Sequence, residues 1–158
     1  MDTMTHYMEL LATNQPWNLI IFMAIPVILA ETIAISELAI LFSRNLKSRL
    51  RKLNKIAGIV VGLYFTGIFI YLFFNAVVPL TASGGWRGPA DVIAVGFYLS
   101  GIIPLLGIAL LELGIIGRKQ NEIDKLKLHA TFVGIFLVVS HIAMIFGMLN
   151  PSLLQMKM

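Results

Sequence analysis

The 158-residue chain has no cysteine. This excludes disulfide staples, thiolate metal sites and thiol redox chemistry. Charge is almost as scarce: Asp, Glu, Lys and Arg make up 13% of residues against 58% apolar ones, whereas soluble domains carry about 25% charged residues. The main solvent of such a chain is expected to be lipid. The N-terminal segment MDTMTHYMELLATNQ lacks the basic stretch of a cleavable signal, so the first apolar run is expected to stay in the mature protein. No P-loop, dinucleotide fingerprint or nucleophile elbow occurs, which removes the footing for soluble-type enzymology. The linking segments are too short for a separate catalytic domain, so any activity belongs inside the bundle or at its two faces.

What the chain does contain is a series of apolar runs long enough to cross a hydrocarbon layer of about 30 Å. They predict an all-α integral membrane four-helix bundle, one transmembrane domain over 1–158 with spans at about 16–43, 56–80, 91–116 and 128–149. Met4, Tyr7, Met8 and Leu11 recur at helical spacing ahead of the first span, which predicts a short amphipathic helix that would lie on the membrane surface. Ten of the twelve Lys and Arg residues fall after span one or after span three, and only Arg87 and Lys157 fall on the other side. The positive-inside rule then puts both termini outside and both basic loops in the cytoplasm. Because the net charge of +4 is concentrated in those loops, it reads as a topology signal. Nucleic acid is not an expected partner.

Gly58, Gly62 and Thr66 form a stripe of small residues on span two, a device for close helix approach within the chain or between copies. Pro26 and Pro104 interrupt the hydrogen-bond ladders of spans one and three, and each frees a carbonyl one turn earlier. The intramembrane polar residues sort by depth into two layers to which every span contributes. Glu31, Tyr71, Ser100 and His141 lie in the middle-to-outer part, and Glu37, Tyr64, Glu112 and His129 lie nearer the cytoplasm. An acidic residue at mid-membrane costs at least about 2.5 kcal/mol, so Glu31 must be paired, neutral or turned to water. Glu37 and Glu112 are expected to reach the interface or pair with nearby basic side chains, and His129 to be interfacial. His141 lies well inside its span and could be a satisfied core residue, a proton-relay partner or a metal ligand. Tyr64, Tyr71 and Asn75 share a face of span two, which can line a path or hydrogen-bond across helices.

No metal is assigned, since neither a Glu-x-x-His pair nor HExxH is present. No cofactor is predicted either. Spans one to three hold no histidine, and His129 and His141 lie about 18 Å apart on one helix, so haem would need methionine ligation or ligands from another subunit.

In span pattern, size and segments such as PWNLIIFMAIPVILAETIAISE, the whole chain resembles small four-span uncharacterised prokaryotic membrane proteins, loosely permease-like. The resemblance transfers no site residue. Two functions remain open. One is an oligomeric permease or channel for protons, ions or a small solute along Glu31 and His141; four helices are few for alternating access, which implies a homo-oligomer. The other is a non-transporting anchor or accessory subunit of a larger membrane complex, respiratory and haem- or quinone-linked. Catalysis is not expected.

The topology is directly testable. Reporter fusions after Ser43 and Lys119 should read cytoplasmic, and fusions at Gly85 and the C-terminus external; an external signal at Lys119 would invert the bundle.

Overall fold

A backbone in hydrocarbon must satisfy its own N–H and C=O groups, and each long apolar run does so as a helix. The computed structural model describes residues 4–151, so Lys157 lies outside the described residues. It contains a short helix, α1 (His6–Ala12), followed by four helices long and apolar enough to cross a membrane: α2 (Trp17–Ser43), α3 (Arg49–Ser83), α4 (Pro89–Glu112) and α5 (Glu122–Met148). The fold is therefore an all-helical membrane bundle, with no strand among the described residues.

Two helices start earlier than their apolar runs, inside charged segments, because caps are available there. The Ser48 hydroxyl accepts from the Arg51 N–H at 3.3 Å, and the Asn121 side chain accepts from the Asp124 N–H at 2.8 Å. At the other ends, Gly84 (φ 66°) and Gly114 (φ 72°) adopt the left-handed conformation that lets the chain leave α3 and α4. The basic loops share one end of the bundle, the basic end, while α1 and the 84–88 turn occupy the opposite end.

Consecutive helices run antiparallel and pack side by side. α3 lies against α2 and α4; α4 lies against α5. α4 bends at Gly101, where Pro104 has no N–H for the Ser100 carbonyl, and its first half leans on α5 while its second half leans on α3. α2 meets α5 around Glu37 and His129, and nearer the opposite end the two part around a cavity.

Proline is handled by a local change of register. Ile25 donates to Ile20 O and Val78 donates to Phe73 O, each closing a π-turn immediately before Pro26 or Pro79. In α2 this leaves the Ile21 and Phe22 carbonyls short of backbone donors. Tyr64 of α3 donates to Ile21 O at 3.0 Å, and Tyr98 of α4 donates to Phe22 O. One proline thus creates two acceptors that tie α2 to α3 and α4.

α1 packs against the end of the bundle. Its apolar face is turned inward, with Tyr7 and Leu11 buried, because the surrounding groups bind it there. The Thr5 hydroxyl donates to Gly147 O at 2.6 Å, the Arg87 guanidinium pairs with Glu9 and donates to Met4 O, and His6 meets buried Asp91 through both its backbone N–H (2.6 Å) and ring Nδ1 (2.5 Å). Gly147 makes room for the Tyr7 ring, which a Cβ there would approach to 2.6 Å.

The small-residue stripe operates within the chain. A Cβ on Gly62 would sit 2.4 Å from Ala109 Cβ and 2.6 Å from Leu105 O, both on α4. Gly62→Leu should therefore destabilise the protein by about 1–3 kcal/mol, read as an earlier unfolding midpoint in detergent. Gly67→Leu, at a position with nothing within 4 Å, should leave the midpoint in place.

Candidate functional site

Four of the polar residues nearest the basic end were expected at similar depth, and three of them converge. Glu37 on α2, Glu112 on α4 and His129 on α5 are all buried, His129 completely. Its Nδ1 faces Glu37 Oε2 at 3.0 Å and its Nε2 faces Glu112 Oε1 at 3.5 Å. The expected interfacial position of His129 is thus corrected: α5 begins well before it, at Glu122, so His129 sits inside the packed bundle. Gly58 provides the space, since a Cβ there would lie 3.1 Å from His129 Nε2 and 2.8 Å from Ile108 Cγ2. Tyr64 stands apart from this cluster and caps Ile21.

The row continues toward the basic surface. Arg51 donates to Glu112 through both arms of its fork, at 2.7 and 3.2 Å, and to Glu122 Oε2 at 3.3 Å. Its Nη1 also donates to Asn54 Oδ1 at 3.3 Å, while Asn54 Nδ2 donates to Ile33 O and Ser36 Oγ of α2. The Glu112 and Glu122 carboxylates thus both pair with the partly buried Arg51 guanidinium. Every span contributes to this row.

Two atoms in the row have no hydrogen bond, Glu37 Oε1 and His129 Nε2. Most buried polar atoms are paired, so these two call for an explanation. Charge counting supplies part of it. With both ring protons on His129, the four charges of Glu37, His129, Glu112 and Arg51 cancel; with one, the row keeps a net negative charge and Nε2 turns a lone pair toward Glu112. The two ring nitrogens of His129 face different carboxylates and share no central point, and no group of three or more metal-ligand side chains among the described residues is arranged to hold a metal ion.

One helical turn farther from the basic end lies an apolar layer made of Ile33, Val61, Ile108 and Val133, each at most 5% exposed. Beyond it is the cavity between α2 and α5, of about 220 Å³, lined by Glu31 and His141 together with the buried rings of Phe65, Tyr98 and Phe136. The structure brings Glu31 and His141 to one cavity, but no hydrogen bond or ion pair joins them among the described residues. His141 Nδ1 donates instead to Leu137 O at 2.6 Å. Tyr71 stacks on Phe22 at 6.0 Å, and the Ser100 hydroxyl donates to Phe97 O on its own helix; neither is among the residues that line the cavity. Thr66 bonds back to Gly62 O at 2.7 Å. Tyr7 of α1 closes the cavity at the far end, where burial pushes its phenol up to about 12, so the ring is a neutral wall at ordinary pH.

Arg51, Asn54, Asp91 and His6 were not singled out in the sequence. Arg51 lies among many basic residues that all look like topology signals; the one available cue is its place on the Gly58 and Gly62 face, since 51, 58 and 62 follow helical spacing.

A family model described as Family of unknown function (DUF6803) matches residues 1–158. No curated protein and no solved structure matches the chain.

Removing Arg51 tests the row as a structural unit. Arg51→Ala strands the Glu112 carboxylate and should cost about 3 kcal/mol. Arg51→Lys, a point charge without the fork, should recover only part of it. Unfolding midpoints in detergent read both, and an unchanged midpoint for Arg51→Ala would mean that the row does not hold the bundle together.

Proposed function

We propose, on the premise that the chain belongs to DUF6803, a family of unknown function, that this member is a small membrane permease or channel that carries protons, or a solute coupled to them, through the row from Glu37 to Glu122. The observation that carries this reading is the position of His129: a fully buried imidazole between two carboxylates on different helices, with no hydrogen bond at Nε2 or at Glu37 Oε1. An imidazole that faces an acceptor on each side can take a proton at one nitrogen and release it at the other. Arg51 and half-exposed Glu122 extend the row to the surface. In this reading protons enter or leave there on the cytoplasmic side of a prokaryotic inner membrane, an orientation supported by the basic loops at that end.

The apolar layer of Ile33, Val61, Ile108 and Val133 interrupts the row on its inner side. Conduction therefore needs water or a helix shift to bridge that layer, which makes the layer the gate. Homo-oligomers remain part of the proposal, because a single four-helix bundle has few surfaces to rearrange.

Proteoliposomes that enclose a pH-sensitive dye test the reading. With an imposed potential, the protein should acidify the lumen faster than empty vesicles do, and His129→Gln and Glu37→Gln should each cut that flux by about a hundredfold. Full flux in both variants would leave the row a purely structural clamp. A wild-type protein without flux, purified with stable partner subunits or a Soret band, would favour the accessory-subunit function instead.

A further inference from the structure

The groove between α2 and α5 holds a second unsatisfied group, and it lies outside the proton row. Among the described residues, Glu31 has no hydrogen bond and no ion-pair partner, and no lysine or arginine lines the cavity beside it. Its carboxyl is exposed at the rim, in the middle of α2, where the surroundings are lipid. An uncompensated acidic group at that depth costs at least about 2.5 kcal/mol. None of the residues that line the cavity offsets that cost, which leaves a neutral carboxyl, water or a cation from outside to do so.

The chemistry of the walls bears on that choice. His141 also stands at the rim, and its Nδ1 donates to Leu137 O; the ring nitrogen left over, Nε2, is an acceptor in the neutral ring. The Ser140 hydroxyl donates to Leu137 O, and the Tyr98 hydroxyl donates to Phe22 O. The rim thus offers acceptors, and its hydroxyl donors are already used. The floor is aromatic. Tyr7, Tyr98, Phe65 and Phe136 form an unbroken series of ring contacts, with centroids 5.0, 5.4 and 6.3 Å apart in that order, all buried. A carboxyl at the rim and aromatic rings in the lining are two features found where proteins hold an organic cation. The volume, about 220 Å³, exceeds the ~150 Å³ in which an engineered apolar cavity takes up benzene.

We propose that this groove is a binding site for an aromatic or apolar organic cation, a quaternary or protonated amine that enters sideways from the lipid, with Glu31 as its counter-ion and the Tyr98, Phe65 and Phe136 rings as its floor. The apolar part of the ligand replaces lipid chains against Val27 and Met144, both partly exposed at the opening. The site does not depend on the row at His129 and stands whether or not that row conducts.

Equilibrium dialysis of radiolabelled benzyltrimethylammonium against the full-length protein in nanodiscs, with empty nanodiscs as blank, tests it. The expected result is saturable binding that Glu31→Gln weakens by about tenfold or more and that Met144→Trp, a plug at the exposed rim, removes. Neopentylbenzene, which has the same shape without the charge, should compete poorly with wild type and equally well with Glu31→Gln. Helical content and elution volume check that both variants fold; should Glu31→Gln fail to fold, the Met144→Trp result decides. Absence of saturable binding, or binding untouched by both substitutions, overturns the proposal. So does copy-to-copy crosslinking of the Val27→Cys variant that benzyltrimethylammonium does not suppress, which would make the groove an interface between copies.

Discussion

The buried row of Glu37, His129, Glu112 and Arg51 is the constraint on which the rest of the bundle depends. Between helices in lipid there is no hydrophobic driving force, since lipid tails are as apolar as leucine. What decides which helix faces which is therefore close backbone approach and polar pairing. Here the two act at the same place. Gly58 opens the space in which His129 reaches Glu112, and Gly62 lets α3 and α4 touch one turn farther on. The ionic row then engages α2, α3, α4 and α5 at once. A charge row of this kind is costly to leave incomplete, so each helix is rotated to present its own member.

Away from the basic end a different device takes over. Pro26 costs α2 a backbone donor, the π-turn before it shifts the deficit onto two adjacent carbonyls, and tyrosines from α3 and α4 supply the missing hydrogens. α1 and its partners at Asp91 and Arg87 close that end. The bundle is thus tied at both ends and by one mid-level belt, while the seam between α2 and α5 is left open around Glu31 and His141. Both unsatisfied features, the orphaned atoms at His129 and the lone carboxyl at Glu31, lie along this seam. An interior where nearly all polar atoms are matched makes such exceptions informative.

Much of this was legible in the residues alone. Hydropathy located four helices, the glycine spacing on α3 located its tightest contact, and counting along the helices put Glu37, Glu112 and His129 at one depth. Depth is a one-dimensional property that follows from a fixed rise of 1.5 Å per residue. Arg51 and Asn54 were hidden because charged residues beside a span look alike whether they face water or a buried carboxylate. His129 read as interfacial because the apolar run, and not the Asn121 cap, was taken to mark the start of α5.

By itself, the sequence determined the class of structure: too little charge for a soluble core, runs long enough to cross a bilayer, and a basic bias at alternate loops. These are sums over local composition, and partitioning between water and lipid responds to such sums. Tertiary structure alone decided rotation and partnership: that Glu37 meets His129 while Glu31 has no hydrogen bond or ion pair among the described residues, that Tyr98 and Tyr64 cap the carbonyls near Pro26, and that α1 folds inward. Those outcomes depend on the angle of each helix about its own axis and on which neighbours come within hydrogen-bond distance. Neither is encoded by any single segment, because each is the joint minimum of all four helices packed together.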